Sequence, residues 1–309
     1  MSTALPATRD LLRFAELETD VETLRSMFLR CYDELETQNA PLKTIVGAAF
    51  DGLDSQKDRI ALFCRMATEI ARRVDNGDDG TCEHAYHNAA HFAKVVINFR
   101  ALAGIHNLLH PDEALSNEEI AVGLLAATAH DIGHNGRGNT VEGQHKQFRL
   151  EQLAIDTAIS WVQSEDADRD LILEALSPIY ATDVSSDGTN ISPARFVREL
   201  HDVHGGNDSL PATPYSEALK LFFNTRGKVL VASILHDADV FSSLIEEEAH
   251  LRENSRLGAE FEKATGNPPS ATSSLWFLGT MLQGRSTTET ARRFSDSFIA
   301  SQLAKLQSA

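Results

Sequence analysis

Residues 128–139 read Thr-Ala-His-Asp-Ile-Gly-His-Asn-Gly-Arg-Gly-Asn and close an apolar run, Ile120 to Ala129. Ahead of that run, Ser116-Asn117-Glu118-Glu119 has the spacing of a helix capping box. The pattern predicts a buried helix that starts at the cap and ends on His130-Asp131, with His134 just beyond. An adjacent imidazole and carboxylate at the end of a buried helix sit badly in an apolar core. An ionised carboxylate is costly to bury unless it is paired or bound to a metal. Imidazole with carboxylate is a ligand set that suits zinc, iron or manganese. A lone His-Asp pair arises often by chance, so its meaning depends on the rest of the chain.

Working outward, the periodicity is helical. Ile60, Phe63, Cys64, Ala67, Ile70, Ala71 and Val74 fall on one face of a helix over residues 56–75. Residues 143–164, 168–181, 214–250 and 287–306 also read as helices, and strand signals are sparse. Loops are expected at 75–82, 109–115, 135–142, 184–193, 204–214 and 265–272. The expected fold is all-α. Residues 1–54 are more charged and less tightly patterned. They read as an N-terminal helical region that caps the core or oligomerises the chain, or equally as peripheral helices of the same domain. Residues 55–309 are expected to form the catalytic domain, and no attached sensory domain is visible in the sequence.

The 309 residues are enough for one large or two ordinary domains. No stretch approaches the roughly 20 apolar residues of a membrane span, and the N-terminus lacks a secretory pattern. Cys31, Cys64 and Cys82 have no metal-binding spacing and read as reduced thiols of a cytoplasmic protein. The net charge of −17 argues against a nucleic-acid partner. It also means that a phosphate-ester substrate would need a local reversal of the field, which bound divalent metals would provide.

Two further patterns join the first. His87 and His91, in Tyr86-His87-Asn88-Ala89-Ala90-His91, are four apart and share a helical face. Downstream, Leu235-His236-Asp237-Ala238-Asp239 interrupts an apolar helix. His91, His130, Asp131 and Asp239 then make two imidazoles and two carboxylates on or beside apolar helices. Helical bundles build metal sites from such facing side chains. The order H…HD…D is that of the HD-type metal-dependent phosphohydrolases.

The match is closer than that superfamily. Tyr86-His87-Asn88-x-x-His91, His130-Asp131-x-x-His134-x-Gly136-x-x-Asn139, Ala181-Thr182-Asp183 and His236-x-Ala238-Asp239 resemble the catalytic domain of the class I 3′,5′-cyclic nucleotide phosphodiesterases, over roughly residues 84–280. The resemblance implies a compact multi-helix bundle with a central two-metal site. It implies that His91, His130, Asp131 and Asp239 hold the tighter metal, usually zinc, and that Asp131 bridges to a second, magnesium or manganese. His87 would be the general acid that protonates the leaving O3′, with a metal-bridging hydroxide as the nucleophile. His134 would stand behind it. Glu151 would bond a metal-bound water and His87, and Thr182 would hold a water on the second metal. The substrate would be cAMP or cGMP and the product a nucleoside 5′-monophosphate. A proton donated to the alkoxide is typically worth roughly 10²–10⁴-fold, and two metals acidify water and clamp phosphate oxygens.

The resemblance also implies a base pocket beside Tyr86, with a phenylalanine that stacks on the base and a glutamine three residues before it. Phe277 takes the first position, and the second falls on Ser274, with Gln283 a candidate substitute. A serine hydroxyl offers less than a carboxamide to a purine edge. Trp276 reads as a core residue and Arg137 as a solvated loop residue. His236 belongs to the Asp239 motif but does not read as a ligand, and Asp183 and Asp237 read either as structural or as supporting the ligands from behind. Two alternatives stay open: another phosphodiester or phosphomonoester hydrolysed at the same centre, and a catalytically silent nucleotide-binding or helical interaction protein. A homodimer is compatible with either.

Overall fold

The computed structural model describes residues 5–18, 20–54, 57–81, 83–163, 168–186, 191–204, 216–268 and 273–308. Fourteen α-helices lie among them. In chain order they are α1 (Pro6–Phe14), α2 (Val21–Gln38), α3 (Leu42–Phe50), α4 (Asp58–Asp75), α5 (Ala89–Leu109), α6 (Asn117–Ala129), α7 (Arg149–Val162), α8 (Arg169–Leu176), α9 (Pro193–His204), α10 (Ser216–Phe222), α11 (Arg226–Phe241), α12 (Glu247–Thr265), α13 (Ser273–Trp276) and α14 (Glu289–Ser308). The all-α expectation holds. Among the described residues no helix is long and apolar enough to cross a membrane.

Three helices form the axis of the molecule. α5 is buried on every face from His91 to His106, α6 packs on it, and α11 packs on both. A Cβ added at Gly123 would fall inside the Phe99 ring, so α5 and α6 cross at a separation only glycine allows. The capping box at the start of α6 forms as expected. Ser116 Oγ accepts from Glu119 N (3.3 Å) and Glu119 Oε2 accepts from Ser116 N (2.8 Å). The helix over 56–75 begins at Asp58, and its buried stripe includes Met66 while Cys64 is half-buried.

Three expected helices differ in the structure. The span 143–164 starts only at Arg149, because residues 140–145 form a small antiparallel hairpin, β1 (Thr140–Val141) with β2 (Gln144–His145). Its two turn residues, Glu142 and Gly143, have φ of 51° and 76°, the left-handed pair that a tight hairpin turn requires. The span 168–181 ends as α-helix at Leu176 and tightens to a 3₁₀ turn, Ser177–Thr182, where Pro178 lacks an N–H to donate. The span 214–250 divides into α10, α11 and the start of α12. Thr225 Oγ1 caps α11 by accepting from Lys228 N (3.3 Å), and Ser243 Oγ donates back to Val240 O (2.8 Å) where the chain turns. Of the expected loops, residues 187–190, 205–214, 269–272 and 82 lie outside the described residues.

Residues 5–53 contribute Leu24, Phe28, Tyr32 and Ile45, among others, to the same buried cluster that runs on to Phe294. Polar ties cross the same interface. Tyr32 OH donates to Asn98 Oδ1 (2.5 Å), and Asn98 Nδ2 donates to Ala238 O (2.9 Å). Asn98 thereby fixes α11, one residue from Asp239, against α5. Lys94, also on α5, is buried and pairs with Glu36 (2.5 Å) on α2 and Glu253 (2.7 Å) on α12. Burial alone would raise the Glu36 carboxyl, but Arg256 and Lys94 bring it down to about 2. This network seats α12, whose next buried acid enters the site.

Candidate metal centre

Each of the four residues expected to hold the tighter metal arrives by a different route. Asn88 caps α5, its Oδ1 accepting from Ala90 N (3.0 Å) and His91 N (3.3 Å), so His91 stands in the first turn. His130 and Asp131 end α6, and Asp239 projects from α11. One ligand atom from each lies within 4.8 Å of all the others. His91 Nε2 is 3.2 Å from His130 Nε2, 3.2 Å from Asp131 Oδ2 and 3.2 Å from Asp239 Oδ1. His130 Nε2 is 3.1 Å from Asp131 Oδ2 and 3.5 Å from Asp239 Oδ1.

These separations fit a bound divalent ion. With zinc–ligand bonds of about 2.0–2.2 Å, the edges of a tetrahedron are about 3.3–3.6 Å. The tautomer of His130 fits as well, because its Nδ1 donates to Ala127 O (2.9 Å) and leaves the Nε2 lone pair facing the cluster. Among the described residues, the groups within ion-pair distance of Asp131 and Asp239 are all imidazoles. Burial would push both imidazoles down, but Asp131 and Asp239 hold His91 above its ordinary range and His130 well above it. Two carboxylates and two buried imidazoles without a guanidinium or ammonium make a site for a cation.

His87 links this cluster to a second one. Its Nε2 is 3.9 Å from Asp131 Oδ2, and its Nδ1 is 2.6 Å from Glu260 Oε1. Glu260 Oε2 accepts from the backbone N–H of Tyr86 (2.9 Å) and of His87 (3.0 Å), which locks the carboxylate in place. Burial would raise Glu260, but His134 and His87 hold it well below the usual carboxylate range. Burial, with His134 beside it, brings His87 down to about 4 against the pull of Asp131 and Glu260. His134 stacks on His87 with ring centroids 3.5 Å apart. Tyr86 packs with its ring centroid 4.7 Å from those of His87 and His91.

The carboxylate expected on His87 is therefore corrected from Glu151 to Glu260. Glu151 Oε2 accepts from Asn139 Nδ2 (2.9 Å), and burial together with the Asp183 charge lifts its carboxyl to about 8. Asn139 Oδ1 also accepts from Leu150 N (2.8 Å), so the hairpin holds Glu151 at the start of α7. Thr182 is buried and its hydroxyl donates to Ile179 O (2.8 Å). Asp183 accepts from Gln147 Nε2 (2.5 Å) and Phe148 N (3.0 Å), and Asp237 from Thr287 N, Thr288 N and Thr288 Oγ1 at 2.7 Å each, consistent with structural roles. His236 is buried, and burial brings it to about 3.

Glu260 was not legible from a motif. The signal available was its spacing of seven from Glu253, which puts both acids on one face of α12, where both are buried.

The residues expected to meet the base lie on the C-terminal segment. Ser274 Oγ accepts from Asn254 Nδ2 (3.1 Å). Phe277 opens a single π-helical turn, Phe277–Met281, in which Leu282 N donates to Phe277 O (2.9 Å). It packs on a small cluster that includes Val240, Leu244 and Leu278. Gln283 is exposed, with φ of 52°, and its amide oxygen turns to the Arg195 guanidinium at 3.0–3.3 Å. Trp276, expected in the core, is 52% exposed, while the next residue, Phe277, packs inward. Arg137 is not simply solvated: its Nε donates to Ala264 O (2.9 Å) and ties the loop after His134 to α12.

The fold is that of the phosphodiesterase catalytic domain. The phosphodiesterase domain of a RhoPDE fusion protein from the choanoflagellate Salpingoeca rosetta is 18% identical, with a TM-score of 0.54 over 95% of this chain and 92% of that one. LmjPDEB1, solved in complex with IBMX, is 15% identical, with a TM-score of 0.59 over 99% of this chain and 98% of that one. A rhodopsin phosphodiesterase domain, also of S. rosetta, is 19% identical, with a TM-score of 0.54 over 99% and 95%. No family model and no curated protein matches the chain.

Proposed function

We propose that this protein hydrolyses 3′,5′-cyclic nucleotides, cAMP or cGMP, to nucleoside 5′-monophosphates. The observation that carries the reading is the meeting of His91, His130, Asp131 and Asp239 around one point, with His87 turned towards it. The fold it sits in, shared with solved phosphodiesterase domains, supports the same reading.

His91, His130, Asp131 and Asp239 would hold the tighter divalent ion, and their donor set suits zinc. Asp131 would also serve a second ion, magnesium or manganese, whose other ligands are mostly water. Bound there, the ions would supply positive charge against the phosphate oxygens and acidify water. The chain's own residues do the rest. Glu260 accepts from His87 Nδ1 and so aims Nε2 at the centre. The phosphodiester anion beside Nε2 favours the protonated ring, offsetting the burial that lowers it. His87 then holds a proton at Nε2 for the departing O3′. Tyr86, packed against both His87 and His91, fixes their rings in place. Thr182 and Glu151 would stand along the water shell of the second ion.

A second reading, another phosphate ester at the same centre, is favoured by Ser274. It stands where a purine-reading amide is expected and is engaged by Asn254. A panel of cAMP, cGMP, 2′,3′-cyclic nucleotides, an aryl phosphodiester and nucleoside monophosphates separates the two. The expected result is turnover of at least one 3′,5′-cyclic nucleotide, with release of the 5′-monophosphate. Turnover confined to the non-cyclic esters would pass the assignment to the second reading.

A further inference from the structure

A side-chain amide is lacking at position 274 but stands beside it on another helix. Asn254, on α12, donates from Nδ2 to His250 Nε2 (2.8 Å) and to Ser274 Oγ (3.1 Å). His250 Nδ1 donates in turn to Ser243 O (2.9 Å). We propose that Asn254 reads the base and selects adenine over guanine. The proposal rests on the cyclic-nucleotide reading above and names cAMP as the substrate.

The chain of hydrogen bonds fixes the direction of the amide. A backbone carbonyl can only accept, so the His250 proton is on Nδ1 and the lone pair on Nε2. Burial lowers the His250 pKa, which favours the neutral ring. The Nε2 lone pair calls for a donor, and Asn254 supplies one N–H of Nδ2. The other goes to Ser274. Both donors of the amide are therefore spent, and Oδ1 has no partner among the described residues. Asn254 is half-buried, and its Oδ1 stays open to solvent. The result is an acceptor of fixed direction, next to a Ser274 hydroxyl that keeps its own O–H to donate.

The surroundings suit a flat ring. Around α12, Leu257 and Phe261 fall between the direction of Glu260, which meets His87, and that of Asn254. Both are large apolar side chains left 42% and 40% exposed. An apolar strip thus joins the side of α12 that supports the proton donor to the side that carries the amide. Phe277, three residues beyond Ser274, packs on the cluster that holds Val240, the neighbour of Asp239. Adenine presents an amino group beside a ring nitrogen, a donor and an acceptor that match Oδ1 and the Ser274 hydroxyl. Guanine carries a carbonyl in place of that amino group, so the same approach sets two acceptors together, and an unsatisfied polar group costs affinity. An amide held by His250 cannot turn over to relieve it.

The test is steady-state turnover of cAMP and cGMP, each followed by release of its 5′-monophosphate. The unaltered protein is expected to favour cAMP by about tenfold or more in kcat/KM. Asn254→Ala is expected to raise KM for cAMP by about tenfold, with a smaller change in kcat, and to bring the two nucleotides close to parity. His250→Phe keeps a ring against Phe298 but frees the amide to turn, so it is expected to raise kcat/KM for cGMP relative to cAMP. A parent enzyme that favours cGMP, or Asn254→Ala with KM and preference unchanged, would overturn the assignment. An aryl phosphodiester cleaved by a parent enzyme that turns over neither cyclic nucleotide would instead overturn the reading beneath it, and this assignment with it.

Discussion

Asp131→Asn is expected to abolish turnover and to lose the second metal, with helix content unchanged by circular dichroism. Asp131 Oδ2 lies 3.2 Å from His91 Nε2, 3.1 Å from His130 Nε2 and 3.9 Å from His87 Nε2. It thus lies within ion-pair distance of both the metal cluster and the proposed proton donor. Burial would raise its carboxyl, but His130 and His87 hold it well below the ordinary range, so it is an anion at any working pH. Asparagine keeps the shape and removes the charge. Metal-ion catalysis is worth several kcal/mol, and each 1.36 kcal/mol is tenfold in rate, so the loss should be about 10³-fold or more. Metal analysis and a steady-state assay on the same preparation check it. A variant that keeps both ions and turns over at the parent rate would remove Asp131 from the mechanism.

His87→Ala has the second large effect and a different signature. The metal complement should stay, because His87 Nε2 is 3.9 Å from Asp131 Oδ2 while His91 Nε2 and His130 Nε2 each lie 3.1–3.5 Å from the other ligand atoms of the cluster. Turnover of a cyclic nucleotide should fall roughly 10²–10⁴-fold, the range for a positioned general acid. An aryl phosphodiester whose leaving group needs no proton should lose much less. The comparison of the two substrates is the decisive measurement. Equal losses on both would mean that His87 holds the site together rather than donating a proton. Glu260→Gln should repeat the pattern, since one amide oxygen cannot accept both from Nδ1 and from the Tyr86 and His87 N–H groups, and the neutral side chain no longer favours a charged ring.

Much of this arrangement was legible in the chain because it rests on local rules. The apolar run that ends on His130-Asp131, the capping box at Ser116 and the stripe from Ile60 to Val74 each announce a helix and one of its faces. The four cluster residues stand out because each is a polar interruption of an apolar pattern. The elements that were missed depend on signals of another kind. The hairpin at 140–145 turns on a two-residue Glu-Gly loop with no strand longer than two residues to advertise it. The break between α11 and α12 falls at Ser242-Ser243, where Ser243 Oγ donates back to Val240 O, with no glycine or proline to mark it. Glu260 looks like one more acid on a polar helix, and only tertiary packing buries it against His87. Trp276 misled for the opposite reason: a large apolar ring on a helix usually faces inward, but here the neighbouring Phe277 takes the inward position and Trp276 is left exposed.

The base pocket was the least legible part, and the reason is physical. A metal centre constrains four residue types at once, whereas a purine edge can be met by several polar groups on a mobile choice of backbone. Ser274 and Gln283 are each engaged elsewhere, by Asn254 and Arg195, so neither faces the site as a free amide would.

The central claim is that four residues far apart in the chain share one divalent ion. Anomalous diffraction at the zinc edge, from crystals grown with zinc and soaked with a nucleoside 5′-monophosphate, tests it most directly. The account predicts a peak about 2.0–2.2 Å from His91 Nε2, His130 Nε2 and one oxygen each of Asp131 and Asp239, with the product phosphate between that peak and His87. Density showing those four side chains around water alone, with the metal and the phosphate elsewhere, would contradict it.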